Sequence, residues 1–597
     1  MKDHYILGIS AFYHDSAAAL LKNGKIVFAV QEERFTRIKH DLSFPINSIK
    51  FLLNKENISL SDIGHIVFYE KPILKFTRII QTVLASIPRG FKRFHNILWA
   101  WLLGKLFTNK IIIKNLKKID NNFYIKKIHY IEHHLSHAAS AFYPSPFEDS
   151  AILTIDGVGE WSTTTLSVGK KNKIDILEEI KFPHSIGLLY SAFTSYLGFK
   201  VNSGEYKIMG LAPYGRPIFR DIILEKLIDL KKDGSFRLNL NYFDYTHSNN
   251  MFNKKLEELF NTKKRMREGK IEQVHKDIAA SIQSVVEIIV LRIAKYCREI
   301  TNKNRLCLAG GVALNCVANG KLLKKKYFEK IWVQPAAGDA GGALGAAYEF
   351  WYSNLKNNRI SDDQNDSMQG SFLGPSFNND QVLSALNKIE ANFEKLDDEE
   401  LISKVADKIS KQNCIGWFQG RMEFGPRALG SRSILADPRS EKMQSILNLK
   451  IKFRESFRPF APCILSDELS NWFDLDIQSD YMLFVSEILD KHKLDNKKST
   501  VPAVTHVDFS ARVQTVNKKN EKLYKLLRKF KEITNCPILV NTSFNLRGEP
   551  MVCSIEDAYR TFMISNLDFL VCENYFLDKK KQKNRNKYTE SYLEELD

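Results

Sequence analysis

The sequence predicts an α/β protein of two domains, and three observations carry that prediction. At 597 residues the chain is too long to fold around a single core. Its first half twice sets a strand, a glycine-punctuated turn and a returning strand in series, and once a strand, a glycine turn and a helix. From about Tyr352 to Gly370 the periodicity stops and polar residues take over (Asn354, Lys356, Asn357, Asn358, Asp362, Asp363, Gln364, Asn365), as in a linker. The composition, 44% hydrophobic and 26% charged, is that of an ordinary globular chain and excludes a fibrous or low-complexity one.

Residues 5–9, 17–21 and 26–31 read as successive strands of a meander, the last two joined by the turn Lys22-Asn23-Gly24. Met1-Lys2-Asp3-His4 runs directly into the first strand, so no secretory signal is expected. The apolar run from Ile97 to Leu103 is far too short to span a bilayer. Eight cysteines lie scattered without close pairs, so buried reduced thiols and a cytoplasmic location are expected. The net charge of +18 is uneven. Residues 71–128 hold thirteen Lys/Arg against one acid, Asp120, and so account for +12 of it. Phe91, Phe94, Trp99, Trp101 and Phe107 interleave with these bases, which suits an amphipathic helical insertion. A solvated helical face, a docking patch for an anionic or lipid-linked substrate (membrane-peripheral contact included), and a nucleic-acid patch all fit it.

His133-His134-Leu135-Ser136-His137 opens a helical stretch, 134–142. On a helix, His133 and His137 lie one turn apart on one face, where they can share a metal ion. Asp339, in Gly338-Asp339-Ala340-Gly341-Gly342, is a candidate third ligand. Two imidazoles and one carboxylate leave coordination positions open, as catalytic sites require. The plainer alternative is a capped, hydrogen-bonded helix start. His134 is expected at the surface or as a support for its neighbours. A buried strand, 151–155, ends in Asp156-Gly157-Val158-Gly159-Glu160, and 163–168 returns from it. Another, 305–308, leads into Ala309-Gly310-Gly311-Val312-Ala313 and a helix. Such turns let backbone N–H groups approach phosphate, as they do in actin-type and sugar-kinase folds.

The organisation expected is a first domain over 1–355, a linker over 356–370, a second α/β domain over 371–577, and a charged, disordered or loosely docked tail over 578–597. Strands are expected at Ile415–Phe418 and 538–540. In the second domain, basic residues collect in turns. Arg421 and Glu423 precede Phe424-Gly425-Pro426-Arg427-Ala428-Leu429-Gly430-Ser431-Arg432. Lys452, Arg454, Glu455 and Arg458 follow, then Arg512 and Gln514, then Asn541-Thr542-Ser543-Phe544-Asn545-Leu546-Arg547-Gly548-Glu549. Guanidinium forks match phosphate oxygens and lysine adds a point charge, so this set suits a small phosphorylated anion. Asn541, Ser543 and Asn545 alternate and project to one side of an extended segment.

These segments resemble those of the O-carbamoyltransferases of the nodulation-factor, cephalosporin and aminoglycoside type. So do Ala11-Phe12-Tyr13-His14-Asp15-Ser16, Gln31-Glu32-Glu33-Arg34-Phe35, Gly204-Glu205-Tyr206-Lys207 and Phe457-Arg458-Pro459-Phe460-Ala461-Pro462. The resemblance runs from about Ile6 to Val571. It implies an actin-like ATPase (ASKHA) fold for the first domain, similar to a tRNA-threonylcarbamoylation enzyme, and a YrdC-like α/β fold for the second. It also implies that the second domain makes carbamoyl-adenylate and pyrophosphate from carbamoyl phosphate and ATP, with magnesium accompanying ATP. By matching, Arg427, Lys452 and Arg458 hold carbamoyl phosphate, Lys452 being catalytic, while Arg512, Asn541, Ser543 and Asn545 face ATP or the adenylate. The first domain then transfers the carbamoyl group, after internal passage of the adenylate, to a hydroxyl of a small-molecule or glycan acceptor. His133, His137 and Asp339 match the metal ligands, with iron(II) expected and zinc or manganese admitted by the donor set. Asp156, Gly157, Gly310, Gly311, Asn315 and Asn319 line the nucleotide. His14, beside Asp15, serves as general base or as a phosphate contact. Glu205 and Lys207 contact substrate or form a structural ion pair.

Two other functions fit parts of the pattern. A tRNA threonylcarbamoyl-modifying enzyme uses the same halves, but their fusion here and the lack of a broad basic face outside 71–128 speak against nucleic acid. A non-catalytic nucleotide switch would have no use for the arginine-rich second domain. A homodimer is compatible with either half.

Overall fold

The computed structural model describes residues 3–87, 108–124, 127–494 and 498–583. It divides into two compact units. Unit 1 comprises Met1–Glu32 and His40–Ser367; unit 2 comprises Glu33–Lys39 and Met368–Asp597.

Unit 1 is built on two five-stranded sheets. In the first, β1 (Tyr5–Ser10), β2 (Ala17–Lys22) and β3 (Lys25–Gln31) form the expected antiparallel meander. Then β4 (Ile63–Phe68) and β5 (Ile128–Tyr130) add in parallel beside β1, giving the order β3-β2-β1-β4-β5. The second sheet repeats that path. There β6 (Asp149–Ile155), β7 (Ser162–Lys170) and β8 (Lys173–Lys181) form the meander. After a short hairpin of β9 (Ile228–Leu230) and β10 (Phe236–Leu238), β11 (Arg305–Ala309) and β12 (Lys330–Val333) add in parallel beside β6. The order is β12-β11-β6-β7-β8, the same topology used twice. No internal repeat is legible in the sequence, because side chains have diverged while the hydrogen-bonding path persists.

Strand β1 is buried throughout, the pattern of a strand covered on both faces. Helix Asp339–Glu349 packs against β1 and against helix His133–Phe142. The second contact depends on Gly345: a Cβ there would lie 1.8 Å from Ser136 O, so only glycine allows this approach. That approach brings the first residue of one helix, Asp339, against the first turn of the other. The polar segment before Ser367 is tied to the C-terminal end of the histidine helix. Arg359 donates to Phe142 O (2.9 Å), Tyr143 O (3.0 Å), Ser145 O (2.8 Å) and Phe147 O (2.6 Å), the carbonyls of the helix's last residue and of the loop that leaves it. Trp332 Nε1 donates to Asp366 at 3.2 Å, and Ser367 N to Pro144 O at 2.8 Å.

Unit 2 holds one nine-stranded mixed sheet, ordered β13-β23-β22-β14-β15-β21-β16-β20-β17. Its strands are β13 (Glu394–Lys395), β14 (Ile415–Phe418), β15 (Arg432–Ala436), β16 (Ala461–Leu465), β17 (Phe484–Glu487), β20 (Ser510–Val516), β21 (Ile538–Ser543), β22 (Phe569–Cys572) and β23 (Tyr575–Asp578). The two-residue strands β18 (Lys493–Leu494) and β19 (Lys498–Ser499) pair apart from it. The Glu33–Lys39 segment is built into this unit: Arg34 donates to Gly425 O at 2.8 Å, and Arg37 to Met551 O and Pro550 O.

All eight cysteines are buried and free, as expected. Among the described residues no helix is long and apolar enough to cross a membrane. The basic insertion supplies helices Pro72–Ala85 and Thr108–Lys117, while Phe91, Phe94, Trp99, Trp101 and Phe107 lie outside the described residues, as does most of the expected tail.

Candidate active site

Helix His133–Phe142 places the Nε2 atoms of His133 and His137 3.1 Å apart. Asp339 Oδ1 lies 3.7 Å from each of them. A fourth group joins them: Asp156, just past the end of β6, sets Oδ2 3.2 Å from His133 Nε2 and 3.9 Å from His137 Nε2. All four residues are buried. Ligands bound ~2.1 Å from one ion lie ~3.0 Å apart at right angles and ~4.2 Å apart when opposed, so these separations suit a shared cation. Asp339 Oδ1 is buried with no hydrogen-bond partner among the described residues, a cost that a bound cation removes. Two imidazoles and two carboxylates favour iron(II), manganese or zinc over calcium. A four-residue buried cluster able to hold a metal is therefore present.

The surroundings aim these ligands. Glu160 accepts from the His133 backbone N–H (3.0 and 3.1 Å) and from Lys71 N–H (2.6 Å), fixing the start of the helix. Tyr69 OH donates to Asp339 Oδ2 at 3.3 Å. Asp156 Oδ1 receives the Gly311 N–H at 2.9 Å, which joins the cluster to the second glycine turn. His134 is not a surface residue. It is buried, with Nδ1 2.7 Å from Thr154 Oγ1, and burial between two other imidazoles pushes its pKa down to about 3, so it is a neutral support. For His133, burial would lower the pKa, but Asp339, then Asp156 and Glu160, outweigh it and raise it to about 9. Burial would raise Asp156, yet the hydrogen bond from His133 and the charges of His137 and His133 hold it well below the usual carboxylate range.

His14 keeps about a fifth of its side-chain surface exposed, at 21%. Its Nδ1 lies 3.0 Å from Asp15 Oδ2, and its Nε2 points to Asp339 Oδ2 at 3.8 Å. Burial acts to lower its pKa, and the Asp339 charge and Asp15 hydrogen bond more than reverse that, raising it to about 10. The insertion reaches the same group of residues. Arg78 is buried with Nη1 2.8 Å from Gly159 O, next to His133, and Lys75 Nζ lies 5.0 Å from the Tyr13 ring. Arg78 and Val83 are thus the buried side of a helix whose Ile73, Leu74, Thr77, Gln81 and Leu84 are exposed.

Among the nucleotide candidates, Gly310 has φ +87° and abuts Ile155 O, where no Cβ fits. Open space lies where a Cβ of Gly157 would be. Asn315 caps helix Cys316–Lys324 through Ala318 N and pairs with Gln283, while Asn319 donates to Ala313 O. Glu205 accepts from Ser191 Oγ, Asn202 N and Gly204 N, and Lys207 Nζ lies 5.3 Å from the Phe199 ring.

In unit 2 the buried Lys452 ammonium faces the end of β21. It donates to Ser543 O and Oγ and to Asn545 O and Oδ1. Burial, with Arg454, Arg458 and Lys39 nearby, pushes its pKa well below the usual lysine range. Asn541 Nδ2 binds Ala428 O (3.1 Å) and Gln514 Oε1 (2.6 Å), tying β21 to the loop that carries Arg427. That loop is organised by Glu423, whose Oε1 accepts from Leu429, Ser431 and Arg432 N–H. Arg432 is fully buried, donates to four carbonyls and lies 3.5 Å over the Phe418 ring. It is a scaffold residue. Arg458 Nη1 lies 3.6 Å from Glu455 Oε2, and Arg512 sits on β20.

The sequence assigns Asp156 to the nucleotide, and only the structure brings it together with His133, His137 and Asp339. The signal was an aspartate after a fully buried strand, ahead of a glycine. Tyr69 and Glu160 carry no such mark.

Fold and cluster together define a two-unit α/β protein with a buried imidazole–carboxylate cluster able to hold a cation. The family models for the carbamoyltransferase N-terminus and C-terminus match residues 5–348 and 406–579, and the chain belongs to that family of enzymes. It is 52% identical to the uncharacterised protein sll1178 of a Synechocystis species, over 97% of this chain and 98% of that protein. It is 37% identical to nodulation protein NolNO of Sinorhizobium fredii, over 96% of this chain and 80% of that one. The uncharacterised MJ1058 of Methanocaldococcus jannaschii matches at 33%, over 96% and 99%. Among solved structures, HypF of T. kodakarensis aligns at 10% identity with a TM-score of 0.30, over 59% of this chain and 48% of that one, too distant to argue from.

Proposed function

We propose that this carbamoyltransferase is an ATP-dependent O-carbamoyltransferase whose two units run successive half-reactions. In unit 2, carbamoyl phosphate gives up its phosphate to water, and an oxygen of the carbamate displaces pyrophosphate from the α-phosphorus of ATP. The products are carbamoyl-adenylate, pyrophosphate and phosphate, so the atoms balance. Arg427, Lys452 and Arg458 hold carbamoyl phosphate, and Arg512, Ser543 and Asn545 face ATP, with Asn541 holding the loop above them. Several fixed cations are what two polyanions need in order to meet. The YrdC-like reading of this unit rests on the family resemblance; the twice-used sheet path supports an actin-like fold for unit 1.

In unit 1 an acceptor hydroxyl attacks the carbamoyl carbon. Its O–H bond breaks, a new C–O bond forms, the C–O bond to the adenylate phosphate breaks, and AMP leaves. His14 Nε2 takes the proton as the neutral imidazole, the form favoured once a cation at the cluster offsets the Asp339 charge that raises its pKa. The cluster His133, His137, Asp156 and Asp339 would hold a divalent metal, iron(II) by family resemblance, which supplies Lewis-acid polarisation of the carbonyl and positive charge for the leaving phosphate. The acceptor is a hydroxyl on a sugar-containing molecule. The observation that carries this reading is that a solvent-reachable imidazole, His14, ends 3.8 Å from a carboxylate of a buried cation cluster. Base and electrophile assistance then act on one recess.

The test is incubation with ATP, carbamoyl phosphate, magnesium and iron(II), first without acceptor, assaying pyrophosphate and carbamoyl-adenylate. Both are expected to form, to vanish with Arg427→Ala or Lys452→Ala, and to persist with His137→Ala, which loses carbamoyl transfer alone. Absence of the adenylate under every metal tried would overturn the two-step reading.

A further inference from the structure

We propose that His40 is a positioning residue of the transfer site, acting through Asp15 on His14. The proposal rests on the reading of His14 as base. One carboxylate bridges two imidazoles: Asp15 Oδ2 lies 3.0 Å from His14 Nδ1, and Asp15 Oδ1 lies 2.8 Å from His40 Nδ1. Each carboxylate oxygen thus serves one ring. In the neutral ring, donation of the Nδ1 proton to Asp15 leaves the Nε2 lone pair on the side that faces Asp339, the tautomer a proton acceptor needs. His40 supplies the second anchor that stops the carboxylate from turning.

The backbone is arranged around this bridge. Asp15 (φ +51°) and His40 (φ +57°) are both non-glycine residues in the left-handed region. That conformation is strained for a residue with a Cβ and persists only where its surroundings hold it. Here they do: Phe12 N–H donates to Leu42 O and Ser16 N–H to Asp41 O, both at 2.9 Å, so residues 40–42 clasp the 12–16 turn on either side of His14 and Asp15. All three side chains keep 21–28% of their surface exposed, so the bridge is reachable from solvent.

A loop clasp with no role in the reaction would need only the two backbone bonds. The side-chain bridge is separable from it by substitution. His40→Ala removes the donor, while His40→Asn restores an amide N–H near the Nδ1 position. The readout is AMP released per pyrophosphate formed, with water or an N-acetylglucosamine oligomer as the acceptor probe. His40→Ala is expected to lower the rate constant of transfer about 10–100-fold, the usual loss when the support of a functional side chain is removed. Acceptor KM, metal content, melting temperature and pyrophosphate formation stay unchanged, and His40→Asn recovers most of the rate. In a His14→Ala background, His40→Ala has no further effect. Wild-type rates for His40→Ala, additive losses in the double variant, or a loss that tracks melting temperature without rescue by His40→Asn would each overturn the proposal. If His14→Ala itself transfers at the wild-type rate, the base reading fails instead, and the two failures are told apart.

Discussion

Asp156 serves two parts of unit 1 with one carboxylate. Oδ1 takes the Gly311 N–H and Oδ2 faces both metal-site imidazoles. Asp156→Asn keeps an acceptor for Gly311 but removes a negative charge from the cluster and sets an amide against His133. Metal affinity is expected to fall at least tenfold, in line with the loss of a ligand or its support, while far-UV circular dichroism stays that of the parent. Proton competition gives a second prediction. With its pKa raised to about 9 by Asp339 and Asp156, His133 is protonated at pH 7 in the metal-free protein, so a binding metal must expel that proton. Metal affinity therefore rises with pH up to about 9. Titration calorimetry in two buffers of different ionisation heat reads the released proton; heats that do not depend on the buffer would contradict it. The sign for stability is the reverse. A folded-state pKa above the unfolded value of 6.5 means that proton binding stabilises the metal-free fold below that value and stops doing so as pH rises through 9.

At the scale of single elements, the loop from Glu423 to Arg432 hangs on one carboxylate oxygen that collects three backbone N–H groups. Glu423→Ala leaves those buried donors unmet at about 1–3 kcal/mol each, so unit 2 should lose several kcal/mol and the Arg427 loop its shape. Adenylate formation is expected to fall with it, measured as pyrophosphate released, whereas metal binding in unit 1 is untouched. This loop also marks what the sequence could tell. The i, i+4 histidine pair was legible because its geometry lies within one helix. So were the strands of the first meander, made of alternating or fully apolar runs, the second and third joined by the turn that ends in Gly24. Asp156 joined the cation site only through the meeting of β6 with a helix more than a dozen residues before it, which no local period encodes. Arg432 reads in sequence like the other basic turn residues, yet it is spent on four carbonyls and the Phe418 ring. The topological repeat escaped for a related reason: a sheet's path is set by backbone pairing, and buried apolar residues are interchangeable enough to erase the resemblance.

Across the whole molecule, each unit has its own sheets and buried apolar residues, so unfolding should not be a single two-state event. The cation cluster lies wholly in unit 1, and a ligand that binds only the folded form stabilises it by about 2.7 kcal/mol at a hundred times its Kd. Scanning calorimetry is therefore expected to give two transitions, of which iron(II) or manganese raises one. Arg359 identifies that one independently. Its guanidinium binds four carbonyls at the end of the helix that carries His133 and His137. Arg359→Ala should lower the metal-sensitive transition by several degrees, since each lost bond to a charged donor is worth about 1.5–3 kcal/mol at most and part is recovered by water. The other transition should move only with unit 2 substitutions such as Glu423→Ala. A single transition shifted alike by metal, Arg359→Ala and Glu423→Ala would mean that the units fold as one cooperative body. The Glu33–Lys39 segment, which belongs to unit 2 while its neighbours on both sides belong to unit 1, is the covalent route by which such coupling would arise.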